Sequence, residues 1–282
     1  MVKLIKTIAN SIYTKTKIPD VDYVLNHYVG CEHNCTYCYA KFMCRWKPYG
    51  KWGSWVEAKM NAPELAKKFI SGSVAMCSVS DAYQPVEKEL KLTRDVLQNL
   101  DKRTNLSILT KSDLVLRDIA LFKKFENLSV GLTINGFSGK TKELFEPNSP
   151  GNEARLHALK ILNENGIKTY GFISPVIPGL TDLKSLNENS CDFVDYYIVE
   201  ILNLNAAGDE FKKMLKEKYP ESYEIMTDKE RYEKFIKDVK EILIKKGVKV
   251  LQLVTHYPKF ECVNLNLCLE KKETQKILKI EK

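Results

Sequence analysis

Residues 30–39 read Gly-Cys-Glu-His-Asn-Cys-Thr-Tyr-Cys-Tyr, so Cys31, Cys35 and Cys38 form a C-x3-C-x2-C loop. One short loop of this kind can aim three thiolates at one centre. Four thiolates close an ordinary 4Fe–4S cluster; three leave one iron without a protein ligand and open to a small molecule. A Cys3His zinc site completed by His27 or His33 is the alternative. Structural zinc loops usually bring two separated ligand pairs, and no second C-x2-C or H-x3-H pair follows. A disulfide within the loop is a further option. The cluster is the expected occupant.

The chain has 282 residues, enough to bury a large core, and α/β barrels commonly run this long as one unit. No apolar run is long enough to cross a membrane and no signal peptide is present, so a cytoplasmic protein without a membrane partner is expected. Five cysteines outside the loop, Cys44, Cys77, Cys191, Cys262 and Cys268, lack metal-type spacing and read as small buried hydrophobes. The net charge is +8, but most of it is Lys interleaved with acids, as in Glu230-Arg231-Tyr232-Glu233-Lys234. Such faces are usually just solvated, so the charge argues only weakly for a polynucleotide partner.

Strands are expected at 22–29, 74–79, 106–109, 128–134, 167–173, 195–201 and 248–254, with helices starting near Asn61 and over 87–100, 113–125, 152–165 and 229–246. Alternating strand and helix implies a parallel sheet with right-handed crossovers. The expected fold class is α/β, a partial (β/α)6-type TIM barrel in one domain. Residues 1–21 form an N-terminal extension, 22–201 the core barrel, and 202–282 a C-terminal extension.

Polar residues collect at the strand C-terminal ends: Asp81, Gln84, Lys111, Thr133, Asn135, Ser174, Glu200, Asn203 and His256. A barrel brings these ends together at one mouth, above the cysteine loop. Trp46, Trp52 and Trp55 all fall in one Pro/Gly-containing stretch after that loop. They read either as a loop packed on the barrel or as a wall that stacks on a flat substrate.

The run Asn26-His27-Tyr28-Val29-Gly30-Cys31, then Cys38-Tyr39-Ala40, Ser80-Asp81-Ala82-Tyr83-Gln84-Pro85, Thr110-Lys111-Ser112, Glu146-Pro147, Arg155-Leu156-His157 and Pro175-Val176-Ile177-Pro178-Gly179-Leu180 resembles the spore-photoproduct-lyase-like radical S-adenosylmethionine proteins. The resemblance covers about residues 20 to 185. It implies a 4Fe–4S cluster on Cys31, Cys35 and Cys38, whose open iron chelates S-adenosylmethionine, and reductive cleavage to a 5′-deoxyadenosyl radical. It also implies that Lys111 pairs with the cofactor carboxylate, Thr133 and Asn135 reach its methionyl or ribose part, and Ser80 and Asp81 lie beneath the amino group. Arg155 would hold the carboxylate or ribose. Tyr37 and the backbone around Ser174 and Ile177 would flank the adenine.

The DNA-repair member of that group keeps a hydrogen-donating cysteine just before the Ser-Asp block. Here Ser78 holds that place and Cys77 precedes it, so Cys77 is a candidate donor that alternation turns toward the core. Asp81 is a second candidate catalytic group. The short chain is similar to queuine lyases, which release 7-aminomethyl-7-deazaguanine. The resemblance therefore implies a lyase for a modified nucleobase held by Asn26, Tyr39, Trp46, Trp52, Trp55, Gln84, Glu200, Asn203 and His256, with Asp81 or Glu200 accepting from its amino groups. A flavodoxin- or ferredoxin-like electron donor is the expected protein partner. DNA repair or RNA modification, with a nucleic acid as partner, is the alternative, and a zinc-stabilised binding protein the reading from another class.

Overall fold

The computed structural model describes residues 2–245 and 249–265. In chain order its strands are β1 (Lys3–Thr7), β2 (Tyr13–Lys15), β3 (Tyr23–Leu25), β4 (Tyr28–Val29), β5 (Trp55–Lys59), β6 (Ser73–Met76), β7 (Asn105–Thr110), β8 (Leu128–Thr133), β9 (Lys168–Val176), β10 (Tyr196–Ile201), β11 (Val250–Thr255) and β12 (Glu261–Asn264). Strands β3, β6, β7, β8, β9, β10 and β11 lie side by side, each parallel to the next. Antiparallel β2 and β12 extend the two edges. This is the partial (β/α) barrel that the strand–helix alternation implies.

The sequence builds it by burying strands on both faces, as parallel sheets require. In β9 only Lys168 is exposed and only Phe172 half-buried. The covering helix Asn152–Glu164 turns Arg155, Ala158, Leu159 and Leu162 inward at spacings of three and four residues, the stripe that docks a helix on a sheet.

The single strand expected over 22–29 is two strands in different sheets. Asn26 breaks it: its Oδ1 accepts from Ser78 N at 2.9 Å and its Nδ2 donates to Ser78 Oγ at 3.2 Å. Past that break β4 joins a separate three-stranded sheet, β1-β5-β4. The N-terminal extension is therefore woven into both sheets, through β1 on β5 and β2 on β3. At the other end β11 carries the main sheet past Ile201. Gln252 on β11 donates to the Asp20 side chain, tying the last parallel strand to the segment ahead of the first. Lys246, Val248 and Cys268, where a helix end, a strand start and a buried thiol were expected, lie outside the described residues.

Candidate functional site

The cysteine loop leaves β4 at Gly30, whose φ is +84°. A Cβ there would stand 2.6 Å from the Trp55 carbonyl oxygen, so only glycine lets the loop lie flat on Trp55. Cys31 and Cys35 are buried, Cys38 is half-buried, and all three are free thiols. Burial pushes all three thiols up, Cys35 to about 12. A bound cationic centre reverses that penalty by holding thiolates directly. Soft sulfurs in a dry loop are the donor set of an iron–sulfur cluster.

Neither imidazole offers the loop a fourth ligand. His27 Nε2 is 2.8 Å from Thr93 Oγ1, and its Nδ1 faces the Cys77 thiol at 3.7 Å. His33 Nδ1 faces the Asn148 carbonyl at 3.4 Å. Its Nε2 lies 3.4 Å from Asp81 Oδ2, close enough for charge attraction but without hydrogen-bond geometry. Among the described residues, no three His, Cys, Asp or Glu side chains converge on a single ion.

Much of what the spacing placed at the mouth is spent bracing this loop. Ser80 Oγ donates to the Gly30 carbonyl at 2.6 Å, and Gln84 Nε2 reaches both Ser80 Oγ and that carbonyl. Gln84 Oε1 accepts from Glu32 N at 2.9 Å. Asp81 accepts from Tyr83 N, Thr110 Oγ1 and Lys111 N at 2.6–2.9 Å. Burial alone would raise the Asp81 pKa; the adjacent His33 and these donors hold it well below the usual carboxylate range. Ser80 and Gln84 thus clamp the cysteine loop, while Asp81 ties the turn at Tyr83 to the end of β7. Gln84, fully buried, has both ends of its amide engaged by the protein, and the buried Asp81 carboxylate accepts three hydrogen bonds from it.

Other expectations are corrected in the same way. Arg155 is buried and donates to Glu146, Ser149 Oγ, the Pro150 carbonyl and the Thr133 carbonyl, so it does not reach out to a ligand. Asn203 caps a helix by accepting from Ala206 N at 3.0 Å. Asn26 is the strand breaker described above. Trp55 is fully buried on β5 with its indole N–H on the Gly50 carbonyl, and Trp52 packs against it edge-on at 6.1 Å. Both lie in a small core with Val29, Cys31 and Ala40, where no base can stack on them. Cys77 packs beside His27, which is bonded to Thr93 on the outer helix Leu92–Asn99. Its buried thiol rests on the His27 ring.

Several expected residues do gather at the strand ends. Lys111 Nζ is 3.4 Å from Thr133 Oγ1 and 5.8 Å from the Tyr37 ring centre. Burial works against its charge, but Cys35 and Glu146 nearby raise its pKa above the ordinary Lys value. No carboxylate oxygen among the described residues forms an ion pair with it. Asn135 Nδ2 donates to Glu146 Oε1 at 2.8 Å, the Tyr37 hydroxyl donates to the same oxygen, and Ile177 N donates to Thr181 Oγ1. Ser174, Glu200 and His256 form one hydrogen-bonded row. Tyr39, half exposed, stacks with Phe42, and Trp46 is the most exposed of the three tryptophans.

Sequence reasoning missed Glu146. Fully buried, it joins Tyr37 of the cysteine loop, Asn135 after β8 and Arg155 of the covering helix. Only its place in a Glu-Pro pair could have drawn attention to it. A surface depression of about 720 Å3 lies at the opposite end of the barrel, lined by Asp22, Phe69, Ser73 and Arg103, and touches none of these groups.

The chain is 52% identical over 256 residues to an uncharacterised protein of Methanocaldococcus jannaschii, covering 90% of this chain and 98% of that one. An uncharacterised protein of Mycobacterium tuberculosis is 27% identical over 218 residues, 73% of this chain and 62% of the other. Among solved structures, a spore photoproduct lyase complexed with dinucleoside spore photoproduct matches with a TM-score of 0.55 at 15% identity, over 98% of this chain and 76% of that chain. A variant of that lyase with bound AdoMet and the same photoproduct matches with a TM-score of 0.51, also at 15% identity and the same coverage. At that identity the likeness is one of fold. The Radical SAM superfamily pattern matches residues 25–184. Enzymes of that superfamily use a 4Fe–4S cluster and S-adenosylmethionine. Because the matched span exceeds half of the chain and holds the cysteines with every residue that braces them, the chain belongs to the Radical SAM superfamily.

Proposed function

We propose that this enzyme is a lyase acting on a modified nucleobase, with queuine as the candidate substrate and 7-aminomethyl-7-deazaguanine as its product. The observation that carries the cofactor half is the Lys111 ammonium, held between Thr133 and the Tyr37 ring beside Cys35 without an ion-pair partner among the described residues. When bound, cluster and S-adenosylmethionine supply the electron and the fragment that abstracts a hydrogen atom. Cys31, Cys35 and Cys38 would hold the cluster. Lys111 would bind the methionyl carboxylate through a charge-assisted contact. Ser80 and Gln84 brace the backbone of the cysteine loop at Gly30 and Glu32. The exposed Tyr39–Phe42 stack offers a planar base a surface at the rim.

A free base is favoured over a DNA photoproduct because the Cys77 thiol is buried against His27. The cytoplasm suits free thiols, and no described helix is long and apolar enough to cross a membrane. A flavodoxin- or ferredoxin-like protein would deliver the electron.

The test is a deoxyadenosine-formation assay with queuine, photoproduct DNA and transfer RNA at two salt concentrations. Stimulation by queuine with little salt dependence is expected. Stimulation by a polynucleotide alone, falling steeply with salt as released counterions require, would replace this reading with repair or RNA modification. The anaerobically purified protein should carry about four iron per chain at this site, lost on replacing Cys31, Cys35 or Cys38 by Ala. Stoichiometric zinc instead would end the radical reading.

A further inference from the structure

Ser174, Glu200 and His256 stand at the C-terminal ends of three neighbouring strands, β9, β10 and β11. Ser174 Oγ donates to Glu200 Oε2 at 2.7 Å, and His256 Nε2 lies 3.0 Å from Glu200 Oε1. Each carboxylate oxygen therefore has one partner. An ionised carboxylate has about four acceptor sites, so a second site remains on each oxygen. The other two carboxylates of the site differ. Asp81 is taken up by three donors from the main chain and Thr110, and Glu146 by Tyr37, Asn135, Ser149 and Arg155. Both are almost wholly buried, whereas the Glu200 side chain is 29% exposed.

Two fixed donors from flanking strands leave Glu200 little rotational freedom while its free acceptors stay reachable. A carboxylate held so matches a ligand with two parallel N–H groups on one planar edge. The half-exposed Tyr39 ring, stacked on Phe42, lies within electrostatic reach of Glu200 and supplies a surface for the ring that bears such an edge.

We infer that Glu200 is the specificity-determining residue of the mouth, and that it reads the ring N–H and 2-amino group of a 2-amino-4-oxopyrimidine ring such as that of a guanine or 7-deazaguanine base. Ser174 and His256 are its positioning residues. The inference rests on the nucleobase reading above and narrows it. A guanidinium group presents the same pair of donors, and the experiment separates the two sources.

The test is equilibrium binding to the cluster-loaded protein with S-adenosylmethionine present. The probes are 7-deazaguanine, 7-deazahypoxanthine, which lacks the 2-amino group, 7-deazaadenine and N-methylguanidine. 7-Deazaguanine should bind at least tenfold more tightly than the other two bases, the effect of one lost charge-assisted bond. Glu200→Gln presents one acceptor and one donor. It should weaken 7-deazaguanine binding tenfold or more and turn the preference toward 7-deazaadenine, whose edge offers the complementary pair. A melting curve of the variant shows whether it is folded; if it is not, the ranking of the four probes on the unaltered protein decides. Equal affinity for the three bases, unchanged binding in a folded Glu200→Gln variant, or tight binding of N-methylguanidine alone overturns the inference. Deoxyadenosine formation without added base is measured in parallel. If it occurs while no base binds, the Glu200 inference falls and the radical chemistry stands. If it is absent both without and with added base, the proposed turnover falls, and the binding series still judges Glu200.

Discussion

Arg155 and Glu146 form an ion pair with both side chains buried, directly behind Tyr37 of the cysteine loop. Removing one partner of such a pair leaves an uncompensated buried charge, which costs about 3–5 kcal/mol. Arg155→Ala should therefore lower the denaturation free energy by that amount, read from a guanidinium titration. The affinity of the folded fraction for S-adenosylmethionine should change far less than in a Lys111 variant. Full stability combined with lost cofactor binding would return Arg155 to the ligand-binding role that the family resemblance implies.

Lys111 should show the opposite pattern. Its ammonium has one long hydrogen bond, to Thr133, lies over the Tyr37 ring, and has no ion-pair partner among the described residues. Lys111→Ala should leave the melting temperature nearly unchanged and weaken S-adenosylmethionine binding tenfold or more, the loss of a contact worth about 1.5–3 kcal/mol. Calorimetric titration decides it; unaltered affinity would place the carboxylate elsewhere.

The tryptophans divide by burial. Trp55→Ala and Trp52→Ala empty parts of the small core under the cysteine loop and should each cost about 3–5 kcal/mol of stability. Trp46→Ala, at a site 74% exposed, should stay within about 0.5 kcal/mol. Lost base affinity at full stability in either buried variant would contradict the packing seen here.

Acid should destabilise the fold in two stages. Burial, aided by Lys59, pushes the His27 pKa from 6.5 down to about 3. Between those values the unfolded chain binds a proton that the folded chain refuses, so stability falls as pH falls from about 6.5. Burial pushes Glu146 up, but Arg155, Lys111 and the Tyr37 hydroxyl outweigh it and hold the carboxyl at about 2. Its contribution is complete above the ordinary Glu value of 4.5 and is lost as pH falls toward 2. The guanidinium midpoint of the cluster-free chain should drop between pH 7 and 5, then again below 4.5. His27→Gln should flatten the first stage only. A midpoint that rises on acidification would contradict both assignments.

From the sequence alone came the cysteine loop, its free fourth position, the strand–helix alternation and the parallel sheet. These are legible because they are local. C-x3-C-x2-C fits in one turn of chain, and burial on both faces writes itself into strands such as β9 as a nearly continuous apolar run. The break at Asn26, which sends β4 into a second sheet, was not legible, since it depends on Ser78 half a hundred residues away.

Which polar side chains face a ligand was decided only in three dimensions. Ser80, Gln84 and Arg155 sit where strand-end residues of a barrel site belong, yet each has its side-chain polar groups engaged by the protein itself. Lys111 and Glu200, no different from them in the pattern of residue types, keep capacity free. Spacing along a chain determines which end of the barrel a residue reaches. Whether its donors and acceptors are already satisfied depends on groups brought to it from distant segments, and a buried polar group must be satisfied before any is left for a ligand.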